Sequence, residues 1–354
     1  MKLPSHGSNP SHVYRNLNLQ VPAALTDFSV NINPLGPPAF IRENWENYFQ
    51  YIEDYPDPHA RELIHSISLK EQLPEEMILA GNGAAQLIFL LGEMLRGEEV
   101  LIVEPAFSEY KEALRAFGAA ISSLVLDERT GWDLDDRIFP AMRGKKAVFL
   151  CSPNNPTGKM YSRDMMLQVI NAAAEAGTFI ICDEAFLDFA EHAPSFAPYI
   201  TRYPNIIVLK SVTKMYSLAG LRLGYVLAAP PIAAKLLAKQ PHWSVNALAQ
   251  VIGASCMEDS THASKTRNYV SEERIRVTSE LRKTGFTVYP SSVNFYLIDA
   301  PQKEGLYRFL LKKGIVARHT ENFNGLDGDY LRFSVKTEEE NDLLVHALKE
   351  WKTC

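Results

Sequence analysis

Cysteine is scarce in this 354-residue chain, with four residues (Cys151, Cys182, Cys256 and Cys354) and no CxxC pair. That spacing argues against a zinc site or a redox dithiol, and no metal site is expected. Cys151 and Cys182 end apolar runs and read as core thiols. No apolar run approaches the length of a membrane span. The opening residues, Met1 to His6, lack the apolar core of a signal peptide. There is no basic block, and the net charge is −6. A nucleic-acid partner is therefore not expected. Internal repeats and low-complexity stretches are also missing. These absences together point to a cytoplasmic protein that binds neither membrane nor nucleic acid.

What remains is a chain long enough for a large α/β domain and a smaller one. Short apolar runs recur before glycine- or proline-rich turns: 77–80, 100–103, 147–150, 179–182, 206–209 and 224–227. Runs of that length, apolar on both faces, suit buried strands of a largely parallel sheet. Helical patterns at 85–95, 109–117 and 163–176 separate them, which predicts a doubly covered α/β sheet. After about Ser244 the texture changes. A helical stretch to about Lys283 precedes strand-like runs at 287–289 and 294–298. A helix near 303–313, strands near 315–318 and 330–335, and a last helix over 338–352 follow. The expected division is an amino-terminal arm (1–41), a large α/β domain (42–244) and a small α+β domain (245–354). The arm is expected to pack on the small unit or on a partner subunit.

Lys214 follows the apolar run Ile206 to Leu209, within Ser211-Val212-Thr213-Lys214. Most lysines are solvated surface charges. This one has company that suits an aldehyde-bearing phosphate ester. Gly81-Asn82-Gly83-Ala84-Ala85 follows a strand and opens a helix, where backbone amides attract anions. Ala84 and Ala85 carry no hydroxyl, so contact there must be mainly through the backbone. Phe107, in Pro105-Ala106-Phe107, can cover one face of a flat ring. Asn155, in Asn154-Asn155-Pro156-Thr157-Gly158, carries an amide that can reach a phenolic oxygen. Asp183 ends a strand, where a helix cap and a ligand-facing carboxylate are both readable. Beside a pyridine nitrogen, such a carboxylate keeps the ring protonated. Tyr55, in Asp54-Tyr55-Pro56-Asp57, can offer a phenol to a phosphate or be a plain turn tyrosine.

The order glycine turn, aromatic, Asn-Pro-Thr-Gly, Asp, Ser-x-Thr-Lys, Arg resembles the fold-type I pyridoxal 5′-phosphate (PLP) enzymes, the aspartate aminotransferase superfamily. The resemblance covers nearly the whole chain. It implies a PLP-dependent transferase-like fold, with Lys214 as the lysine that condenses with the cofactor and Asp183 at the pyridine nitrogen. It further implies Asn155 at the ring hydroxyl, Phe107 stacked on the ring, and Gly83, Ala84, Ser211, Thr213 and Arg222 around the phosphate. Tyr55 would reach the phosphate of a neighbouring subunit, implying a homodimer. Arg332, in Tyr330-Leu331-Arg332-Phe333, matches the arginine that grips a substrate carboxylate.

Within that superfamily the chain is similar to the threonine-phosphate decarboxylases of cobalamin synthesis and to the histidinol-phosphate aminotransferases. Four segments resemble the decarboxylases: His6-Gly7-Ser8-Asn9, the stretch from Asp27 to Gly36, Asp183-Glu184-Ala185-Phe186, and Asn322 to Asp327. Phe186 stands where most of the aminotransferases carry Tyr. The implied substrate is a phosphorylated amino acid bound by His6, Asn33, Asn155, Arg318 and Arg332. Which bond breaks at Cα depends on which one lies parallel to the ring π orbitals, so the placement of the anchoring cations decides. The expected reaction is decarboxylation of L-threonine O-3-phosphate. The alternative is a histidinol-phosphate (or other amino-acid) aminotransferase.

Overall fold

A computed structural model describes residues 3, 7, 9–191, 193–300 and 303–353. The first strand, β1 (Thr26–Asp27), lies in the amino-terminal arm. Seven strands then build one sheet: β2 (Ile78–Asn82), β3 (Glu99–Glu104), β4 (Ala120–Val125), β5 (Ala147–Cys151), β6 (Phe179–Asp183), β7 (Ile206–Ser211) and β8 (Leu223–Ala228). Their order is β2-β8-β7-β6-β5-β3-β4. The neighbours from β7 to β4 run parallel, whereas β8 is antiparallel to both β7 and β2.

All six apolar runs fall on strands of this sheet, save Met77, which ends the 3-10 turn before β2. They are buried on both faces because helices cover the sheet on both sides. Strand β4 carries no continuous apolar run. It lies at the sheet edge and is largely exposed, so burial did not demand one.

The second sheet has the order β11-β12-β9 and is antiparallel: β9 (Phe295–Asp299), β11 (Arg318–His319) and β12 (Tyr330–Ser334). Between them, β10 (Ile315–Val316) pairs parallel with β1. The strand expected at 287–289 is reduced to one bridge, Val288 to Ile298. The arm packs on this unit within the same chain. Val13, Tyr14 and Phe28 join its core with Leu281, Tyr296 and Phe333, and the Tyr14 hydroxyl donates to the Leu311 carbonyl at 2.7 Å.

The helical stretch from about 244 to 283 is two helices, Ala247–Glu258 and Ser260–Lys283. Each begins at a side-chain cap: Asn246 accepts from the Ala249 amide and Asp259 from the His262 amide, both at 2.9 Å. The first of these helices packs on helix Arg61–Glu71 and shares the large-domain core through Ala249, Ile252 and Cys256. Among the described residues no helix is long and apolar enough to cross a membrane.

Candidate active site

The carboxyl ends of β5, β6 and β7 converge on a cavity of about 250 Å³, and the small sheet closes its far side. Crevices at strand tips are where open α/β sheets bind ligands. Lys214 sits on the short helix Val212–Met215 that follows β7. The helix is held by Asn33, whose backbone amide donates to the Lys214 carbonyl at 3.1 Å and whose side chain donates to the Met215 carbonyl at 2.8 Å. The Lys214 Nζ lies 5.7 Å from the centre of the Phe186 ring. Burial brings its pKa down to about 8, and Arg332 and Arg222 push the same way against the pull of Asp183. A nucleophilic amine needs this shift.

Asp183 ends β6, lines the cavity and is buried. The Tyr110 hydroxyl donates to its Oδ2 at 2.5 Å and the Ala185 amide to its Oδ1 at 2.8 Å. Burial raises its pKa, while these two hydrogen bonds oppose the rise. Phe107 lines the same space and meets Tyr110 edge-on at 5.9 Å.

Gly83 opens helix Gly83–Met94 at φ +71°, in the left-handed region. A Cβ there would lie 2.5 Å from Arg222 Nη2, so the guanidinium folds directly over the turn. Ala84, Ser211, Thr213 and Arg222 all line this end of the cavity. Helix-start amides, two hydroxyls and a guanidinium make a phosphate cradle.

At the opposite end Arg318 and Arg332 are register partners across β11 and β12, and both are buried. Arg332 donates to the Asn155 Oδ1 and, at 2.8 Å, to the Ser29 carbonyl. Its Nε has no partner among the described residues. Arg318 donates to Asn322 Oδ1 at 2.6 Å and lies 5.1 Å from the centre of the Phe323 ring. Burial lowers the pKa of Arg318 to about 10; burial and the nearby Arg318 charge push that of Arg332 well down. Two desolvated cations side by side favour an anion between them.

Not every expected residue reaches the cavity. Asn33 does not line it: its amide is spent on Met215 and, at 2.7 Å, on Thr266 Oγ1. It holds the lysine-bearing helix. Two positions earlier, Asn31 does line the cavity, is buried and leaves its Oδ1 without a partner among the described residues. Alternating asparagines in Asn31-Ile32-Asn33 give no sequence signal for which one faces inward. Tyr110 was also missed; it lies in the first turn of helix Glu109–Ala116, three residues after Phe107. Tyr55 is 83% exposed, meets the Trp243 ring at a tilt with centroids 5.1 Å apart, and lies outside the cavity. His6 lies outside the described residues, while nearby Gly7 lines the cavity.

An amine of lowered pKa, a buried carboxylate and an anion cradle match the aldehyde, ring nitrogen and phosphate of PLP. The sequence matches the family Aminotransferase class I and II over residues 23–348. The chain belongs to this family. It is 36% identical to threonine-phosphate decarboxylase of Salmonella typhimurium, over 98% of this chain and 96% of that one. The solved histidinol-phosphate aminotransferase of Clostridium acetobutylicum superposes with TM-score 0.88 at 33% identity, covering 93% of this chain and 99% of that one. The Sinorhizobium meliloti histidinol-phosphate aminotransferase, solved with pyridoxal 5′-phosphate, shares the fold at TM-score 0.83 and 20% identity, over 98% of this chain and 95% of that one. The cofactor of this PLP-dependent family is the group the residues fit.

Proposed function

We propose that this protein decarboxylates L-threonine O-3-phosphate to (R)-1-amino-2-propanol O-2-phosphate, the reaction used in cobalamin biosynthesis. The buried pair Arg318 and Arg332 carries this reading. Threonine phosphate holds a carboxylate and a phosphate on adjacent carbons. Two guanidiniums one strand apart can take one anion each, or share the phosphate and leave the carboxylate to be turned by Asn155 and Asn31.

When bound, PLP supplies an aldehyde for an amine and a protonated ring that accepts the electron pair of a breaking Cα bond. The chain's residues do the rest. Arg318 and Arg332 orient the substrate so that the carboxylate, not the Cα hydrogen, stands perpendicular to the ring. Asp183 holds the proton on the pyridine nitrogen. Carbon dioxide leaves without its bonding electrons, and the Lys214 ammonium returns a proton to Cα. The Lys214 pKa of about 8 suits that donation near neutral pH. Phe186 offers no hydroxyl to a ring oxygen, which leaves that role to Asn155. In a homodimer, the exposed Tyr55 would complete the phosphate cradle of the neighbouring subunit.

Likeness to the Clostridium aminotransferase supports the rival reading, amino transfer from histidinol phosphate. Each substrate is incubated with the PLP-loaded protein, and CO₂ release is scored against 2-oxoglutarate-dependent amino transfer. CO₂ from threonine phosphate is the expected result. Rapid amino transfer from histidinol phosphate, with no CO₂ from threonine phosphate, would overturn it.

A further inference from the structure

Asp183 is followed by a second buried carboxylate, Glu184, which does not line the cavity. Glu184 Oε2 lies 2.9 Å from the Lys210 Nζ, and both side chains are buried. The same oxygen accepts from the Ser195 hydroxyl at 2.6 Å, and its Oε1 accepts from the Phe196 amide at 2.7 Å. The reaction proposed above uses neither Glu184 nor Lys210. Both are nevertheless fixed to groups it does use: Glu184 adjoins Asp183, and Lys210 precedes Ser211, Thr213 and Lys214.

We propose that Lys210 and Glu184 are a positioning pair that keeps Asp183 ionised and aimed at the pyridine nitrogen. The electrostatic part follows from adjacency in the chain. The Glu184 charge raises the Asp183 pKa. The Lys210 ammonium, 2.9 Å from the Glu184 carboxylate, opposes that field. The mechanical part follows from connectivity. The Glu184 amide donates to the Leu209 carbonyl on β7 at 2.9 Å, so pair and backbone together lock β6 to β7 where Asp183 and Lys214 emerge. Glu184 also ties residues 195 and 196 back to the strand end. Phe186, the wall beside the Lys214 amine, lies inside the loop so closed.

The charged surroundings define what a test must control. Lys210 is also influenced by Glu71 and Asp188, and Lys70 lies nearby. Its cross-strand partner is Tyr225, whose hydroxyl donates to Glu71 at 2.6 Å. Asp183 is faced by Tyr110, Cys151 and Lys214 as well as by Glu184. Burial and Glu184 both raise the Asp183 pKa. The carboxylate is thus ionised above its pKa and is neutralised as pH falls through it.

The inference rests on the cofactor and holds whichever substrate is used, so its test does not involve turnover. The visible absorbance of the PLP-loaded protein is followed as pH is lowered, and the midpoint for cofactor loss is recorded. Lys210→Met leaves Glu184 uncompensated and moves that midpoint up, by on the order of one pH unit. Glu184→Gln leaves Lys210 in excess and moves it down. The double variant returns close to the unsubstituted value, and Lys210→Arg stays there. Folding of each variant is checked by circular dichroism. Where Lys210→Met does not fold, the downward shift in Glu184→Gln still decides. Shifts of the same sign in both single variants, or none in Glu184→Gln, would overturn the proposal and leave the pair a structural clamp.

Discussion

Arg318 and Arg332 are register partners across β11 and β12, and both are buried against one cavity. Arg332 makes no ion pair among the described residues; its acceptors are an amide oxygen and a carbonyl. Arg332, held this way, stands ready for an anion. Charge-assisted hydrogen bonds are worth about 1.5–3 kcal/mol each. Arg332→Gln and Arg318→Gln should therefore each raise KM for threonine phosphate roughly tenfold to a hundredfold. Initial-rate kinetics check this. A KM unchanged in both variants would place the substrate anions elsewhere.

The neutral Lys214 amine is the form that attacks an aldehyde. With its pKa at about 8, cofactor capture should quicken as pH rises and level off above about pH 8. Arg332→Gln removes one of the cations that lower this pKa, so the midpoint should move upward. Stopped-flow absorbance of cofactor-free protein mixed with PLP gives both midpoints. Lys214→Ala should abolish the yellow, borohydride-reducible adduct altogether.

Asn33 and Asn31 should separate cleanly on substitution. Asn33→Ala loses buried hydrogen bonds to Met215 and Thr266 and should cost about 1–3 kcal/mol of stability, read as a lowered Tm. Asn31→Ala removes a cavity-lining amide whose Oδ1 has no hydrogen-bond partner among the described residues. Its Tm should hold while KM rises. The reverse pattern would exchange their roles.

Gly83→Ala tests the cradle. The added methyl would sit 2.5 Å from Arg222 Nη2, and the backbone is at φ +71°. The conformation alone costs roughly 1–2 kcal/mol for a residue with a Cβ. Displacement of Arg222 should add to this and weaken PLP binding by at least about tenfold, measured by fluorescence titration.

The sheet was legible because its strands are buried on both faces, which forces unbroken apolar runs such as Ile206 to Leu209. Strand β4, at the edge, had no such constraint and gave no such signal. The cofactor end of the site was equally legible, because Asp183, Gly83 and Lys214 sit at strand tips and turns whose positions local sequence dictates. The substrate end was not. The choice of Asn31 over Asn33 depends on how the arm lies against helix Ser260–Lys283, and the pairing of Arg318 with Arg332 depends on register across a ten-residue connection. Tyr110 was hidden for a similar reason: only the assembled sheet brings its hydroxyl to Asp183.

One guanidinium, that of Arg332, holds the oxygen of the Asn155 amide and the backbone of the arm together. With that oxygen taken by Arg332, the amide would meet the ring hydroxyl of the proposed cofactor seat through its nitrogen. In the proposed function one shared donor would couple the two seats, and an unfamiliar molecule at either would disturb the fit of its neighbour.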